Sequence, residues 1–130
     1  MSNWLFRMGV LYLVVGVILG NVMGATHDYT LHPLHAHLNL LGFAIMMLAG
    51  LWFRAVPAAS ASRLAKAYFW IHQLVFPIQM AGLFVFLKGN AAADVVLGPS
   101  SAIMGIGILC LAINVWKFTA GELSRSASAP

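Results

Sequence analysis

The chain has 130 residues, of which 62% are hydrophobic and 8% charged, and it carries a formal net charge of +4. So apolar a composition excludes an ordinary water-soluble domain, and the length leaves room for a single domain. The positive balance is accounted for by membrane orientation, as set out below, so it gives no reason to invoke a nucleic-acid partner.

Four apolar stretches, at about 8–25, 34–53, 67–87 and 95–116, each approach the ~20 residues a helix needs to cross ~30 Å of hydrocarbon. None of them contains Asp, Glu, Lys or Arg. By position the first could be a signal peptide. It is long, however, its small-residue cleavage signal around Gly24 and Ala25 is weak, and three further spans follow, so it is read as a retained span. Its Gly16, Gly20 and Gly24 form a small-residue stripe along one side, which lets another helix, a second protomer or a flat ligand approach closely.

An outer loop with His27, Asp28 and His32 leads into the second span, which His35 and His37 open. After Pro57, residues 58–62 read as a small-residue linker. The third span contains Pro77, which removes one helix hydrogen bond and should kink it. Residues 89–93 form a short outer turn. The last span holds Cys110, the single cysteine, so no disulfide framework is expected. The domain is expected over residues 1–123, with residues 124–130 a disordered Ser- and Ala-rich tail.

Connections this short force neighbouring helices to run antiparallel, which predicts an all-α, four-transmembrane-helix antiparallel bundle. Arg7, Arg54, Arg63, Lys66, Lys117 and Arg125 fall on one side of the spans and Lys88 alone on the other. Positive loops stay inside, so the N and C termini and the loop between spans two and three are expected to be cytoplasmic, in a bacterial-type inner membrane. Trp4, Trp52, Trp70 and Trp116 sit near the same ends of the spans, where indoles favour the headgroup layer.

The histidines are the informative residues. Four of the five, His27, His32, His35 and His37, crowd the outer end of span two. His27 and His32 belong to a wet loop, whereas His35 and His37 stand in the first turns of an apolar helix, where polar groups mark function. Two residues apart on an α-helix, their rings project about 200° from each other, so they cannot easily share one iron. Asn39 lies one turn beyond His35 on its face and could orient that ring. Phe43, Met46 and Met47 below, with water above, offer the apolar slot and wet edge that a heme needs. His72 sits in span three, some ~15 Å deeper than His37 at ~1.5 Å rise per residue, and reads as a satisfied helix-packing histidine.

His35-Ala36-His37, then Gly50-Leu51-Trp52-Phe53-Arg54-Ala55-Val56-Pro57, then Tyr68-Phe69-Trp70 resembles the tenth and eleventh helices of the heme-copper oxidase catalytic subunit. The segment His35-Ala36-His37-Leu38-Asn39 is also similar to that family's second helix. The resemblance covers about residues 33–80. It implies heme b, with His35 in the place of the high-spin heme ligand and His37 in that of the low-spin heme ligand. The family's copper site needs an adjacent histidine pair, which this chain lacks, so oxygen reduction is not implied and no catalytic residue is assigned.

The function expected on these grounds is that of a membrane-bound b-type heme protein for electron transfer or diatomic gas binding. Its heme would be held by His35 and His37, with His27 or a neighbouring protomer supplying the second ligand. A homo-oligomer is expected, a trimer in preference to a dimer, with a quinol or a cytochrome as redox partner. The alternative is an outward-facing copper or zinc site of His27, Asp28, His32 and His35, or a helper in oxidase assembly.

Overall fold

The computed structural model describes the backbone of residues 1–127 and the side chains of residues 1–120. The elements are α1 (Ser2–Thr26), α2 (His32–Ala55), a short α3 (Pro57–Ala61), α4 (Arg63–Leu87), a single 3₁₀ turn (Ala91–Ala93) and α5 (Asp94–Ala127). There is no β-strand among the described residues. Helices α1, α2, α4 and α5 are long and apolar enough to cross a membrane. At ~1.5 Å per residue the 25 residues of α1 reach ~37 Å, more than the ~30 Å of hydrocarbon.

The helices start earlier than the apolar stretches do. α1 runs back through Arg7 to Ser2, and α4 begins at Arg63 with Lys66 in its second turn. Charged residues in the headgroup layer end a hydrophobic run without ending a helix, so the boundaries lie outside 8–25 and 67–87. The linker expected at 58–62 is helical over Pro57–Ala61, with Pro57 at the first helical position, where its missing N–H costs nothing. Val56 before it is extended, as a residue preceding proline prefers. Ser62 then caps α4 by accepting the Ala65 N–H at 3.1 Å. At the far end of the chain α5 continues to Ala127, into the segment expected to be a tail. The rest of that expectation, residues 128–130, lies outside the described residues.

Two antiparallel hairpins build the molecule. α1 packs chiefly on α2, and α4 chiefly on α5. In the first hairpin glycines make the contact. A Cβ at Gly9 would touch Met47, one at Gly16 would fall 2.7 Å from Asn39 Oδ1, and one at Gly20 would fall 2.7 Å from His35 Cε1. From the other side, a Cβ at Gly42 would stand 2.8 Å from Tyr12, and one at Gly50 2.6 Å from Phe6. The stripe on α1 is therefore an internal packing surface at Gly16 and Gly20, while Gly24 meets nothing within 4 Å.

The hairpins join through two apolar clusters. Leu5, Met46, Ala49 and Phe53 meet Ala65 and Tyr68 in one, and Leu34 and Leu38 meet Phe76, Met80 and Met104 in the other. Large side chains such as Leu40, Leu48, Ile78 and Ile106 point outward, as lipid-facing residues do. Asn114 of α5, fully buried, ties three elements together. It accepts from Trp52 Nε1 at 2.8 Å and donates to the Ala59 carbonyl at 3.1 Å and to Ser62 Oγ at 2.7 Å. Trp4 Nε1 donates to Gln73 Oε1 at 2.9 Å across α1 and α4.

Substitution of either seated glycine by alanine should cost about 1–3 kcal/mol through overpacking. Thermal unfolding in detergent should therefore fall for Gly16→Ala and Gly20→Ala and stay level or rise for Gly24→Ala, which gains helix propensity in open space. Equal effects at all three positions would show that the α1–α2 contact is placed wrongly.

Candidate functional site

The N-terminal end of α2 is assembled from a tight turn. His27 closes α1 in the left-handed conformation, with φ 55°. Asp28 Oδ1 accepts both the Thr30 hydroxyl and, at 3.0 Å, the Thr30 N–H. These two bonds hold the Asp28 carboxyl below the usual carboxylate range. Pro33 sits in the first turn of α2, where its fixed φ favours the start of a helix.

From His32 to His37 the backbone is α-helical, and from Leu38 to Ile45 it widens into a π-helix before α geometry resumes at Met46. π segments are rare and gather at functional sites. This one begins at the residue after His37.

His35 turns inward. Its Nδ1 lies 2.8 Å from the Gly16 carbonyl of α1, and because a carbonyl only accepts, Nδ1 must carry the proton. The lone pair is then on Nε2, where the Asn39 amide approaches at 3.4 Å. Asn39 Nδ2 also donates to the His35 carbonyl at 2.9 Å. Sequence spacing put Asn39 beside this ring, and it stands there. His35 is half-buried, with Nδ1 engaged across the α1–α2 contact and Nε2 approached by Asn39 of its own helix.

His37 is built differently. Its Nδ1 lies 2.8 Å from the Pro33 carbonyl one turn back on the same helix, which again places the proton on Nδ1. The Nε2 lone pair has no hydrogen-bond partner among the described residues. The ring borders a shallow cleft of about 160 Å³ that it shares with Ala36, Leu40 and Leu41. Leu40, 61% exposed, marks this cleft as outward-facing. An imidazole held by a backbone carbonyl through one nitrogen and open at the other is the arrangement of a metal-ligating histidine with its orienting partner.

The remaining candidates do not converge on this point. His27 is exposed at the end of α1. The rings of His32 and His35 are 6.4 Å apart between centroids and inclined at 42°. Among the described residues no three of His, Cys, Asp and Glu come together to hold a metal ion, so the grouping of His27, Asp28, His32 and His35 forms no chelating set.

His72 departs from expectation in its hydrogen bonding. It is fully buried, yet among the described residues neither ring nitrogen has a hydrogen-bond partner, so it is not a satisfied packing histidine. The Leu41 carbonyl faces it. Gln73, beside His72, meets Met46 of α2, nine residues beyond His37, so the two histidines sit at different depths, ~13 Å apart along the axis. The two histidines still point apart, one into the bundle and one out of it.

No protein-family model, curated protein sequence or solved structure matches this chain.

The two imidazoles should separate in mutagenesis. His35→Ala removes the tie to Gly16 and should lower thermal stability, by roughly 1 kcal/mol for the bond and more for the void. His37→Ala loses only a bond within its own helix and should leave stability of the isolated protein within about 0.5 kcal/mol. A larger loss at His37 than at His35, measured by thermal unfolding, would reverse the assignment of inward and outward rings.

Proposed function

We propose that the chain is a multi-pass protein of a bacterial-type plasma membrane, with both termini cytoplasmic, which holds a b-type heme at His37 near the outer surface and acts in electron transfer. The observation that carries this reading is the His37 imidazole, anchored at Nδ1 by Pro33 and open at Nε2 onto an apolar, outward-facing cleft. Kinship with the heme-copper oxidase catalytic subunit supports it through the motif at His35-Ala36-His37 and is itself part of the proposal.

The residues present would hold the heme from one side. Nε2 of His37 supplies the lone pair, and Leu40 and Leu41 supply apolar wall. A cleft of about 160 Å³ in one chain does not enclose a macrocycle, so a second copy has to close the site. His35 is occupied by Gly16 and Asn39, which leaves His37 of that copy as the second ligand. Two identical ligands call for a two-fold pair, and on this ground a dimer is preferred to the trimer. When bound, the heme would supply one-electron redox chemistry. Held by an imidazole from each of two copies, the heme would serve electron transfer rather than gas binding, and a quinol or a cytochrome would be the fitting class of redox partner. The chain's own contribution is to fix the tautomer of His37, keep its lone pair out of internal hydrogen bonds, and exclude water from the cleft.

A visible spectrum of the detergent-purified protein tests this directly. The expected result is a Soret band with sharp α and β bands on reduction, and one heme per two chains. His37→Ala should abolish the heme or convert it to a high-spin form, whereas His72→Ala should keep the low-spin spectrum. A colourless wild-type protein would sink the proposal, and bound copper or zinc would favour the rival reading. Orientation is tested separately: reporters fused after Pro130 and inserted near Ala59 should be cytoplasmic, and one near Ala92 should lie outside.

A further inference from the structure

The interior of the bundle holds a second polar feature that takes no part in the His37 cleft. Tyr68 and His72 lie one turn apart on the buried face of α4, both at 0% exposure. Their ring centroids are 5.3 Å apart, and the His72 ring is 5.1 Å from that of Phe76 on its other side. Together they bridge the two apolar clusters, since Tyr68 belongs to one and Phe76 to the other. Among the described residues the Tyr68 hydroxyl and both His72 ring nitrogens have no hydrogen-bond partner. Gln79 further along the helix is half served: its Nε2 donates to Ser101 Oγ at 3.0 Å, while its Oε1 has no partner among the described residues.

An unpaired buried polar atom costs about 1–3 kcal/mol, and surrounding lipid offers no substitute partner. Three such atoms one helical turn apart, with the Leu41 carbonyl of the π segment facing His72, concentrate unmet hydrogen-bonding capacity in an otherwise apolar core. Its chemistry selects the occupant. A neutral imidazole brings one donor and one acceptor, a phenol brings both, and a carbonyl only accepts. An anion needs donors alone, and a transition metal needs more ligands than one imidazole and one phenol. Water donates and accepts in equal measure, and buried waters typically make about three hydrogen bonds to groups left unpaired by the protein.

We propose that Tyr68, His72 and the Leu41 carbonyl together bind water in the membrane interior, forming a hydrated histidine site sealed from both surfaces. The site gives the bundle an internal group able to exchange protons with a bound water, and it stands whether or not His37 carries heme.

The test uses the full chain, labelled with ¹⁵N-histidine, in lipid bilayers and examined by water-edited solid-state NMR. The His72 ring nitrogens, identified as the signals missing from His72→Phe, should receive magnetisation from water, and Tyr68→Phe should weaken that transfer. No transfer to His72 while exposed His27 shows it, or transfer unaltered in Tyr68→Phe, would overturn the proposal. Thermal stability supplies a second arm. His72→Phe should lower the unfolding temperature if it breaks a hydrated network, whereas a dry, unpaired imidazole would give an unchanged or higher temperature and count against the site. If His72→Phe does not fold, the His72 signals can be assigned in the wild-type chain and the water transfer decides alone.

Discussion

The bond from the His35 imidazole to the Gly16 carbonyl sets how α1 and α2 meet, and much of that end of the molecule follows from it. To bring a ring that close to a backbone carbonyl, the facing helix must have no side chains there, which is why Gly16 and Gly20 lie where they do. With the ring seated, Asn39 settles one turn below it, and further along α2 Gly42 and Gly50 leave room for Tyr12 and Phe6 to close in return. In lipid no hydrophobic force draws helices together, so close backbone approach and a few hydrogen bonds must do so.

The opposite end of the bundle is held by a different device. Asn114 reaches from α5 to Trp52 at the end of α2, to the Ala59 carbonyl of the connecting helix and to the Ser62 cap of α4. Arg54 adds a bond to Asn3 at 2.7 Å and lies over the Phe6 ring. One end of the bundle is thus pinned by a histidine and glycines, and the other by an asparagine that gathers the loop, with apolar shape between them.

The spans were legible because lipid imposes length and polarity directly on the sequence, and Gly16 and Gly20 were legible as a contact because helical spacing puts them on one stripe. Which helix that stripe receives was not legible, since the same stripe suits a second protomer. Asn39 beside His35 followed from spacing within one helix. The helix at 57–61 was misread because small residues resemble a linker until Pro57 is recognised as a first helical residue. Neither the π segment nor Asn114 left a signal. A π turn arises where the packing of two neighbours demands an extra residue in the turn, and Asn114 is one polar residue in an apolar run whose partners lie more than fifty residues away. His72 was misjudged for a related reason, because burial can be guessed from an apolar context but hydrogen bonding depends on what faces the ring.

The anchoring of His37 by Pro33 has a consequence of its own. Histidine and carbonyl belong to the same first turn of one helix, so the ring's orientation is a local property of five consecutive residues. The orientation of His35, by contrast, exists only while α1 is docked. A loosened or partly assembled bundle would lose the inward ring and keep the outward one, so the His37 ring is set before the tertiary structure is complete. The Pro33–His37 turn is in that sense a portable unit, and it would present the same imidazole face if grafted onto the outer end of an unrelated membrane helix.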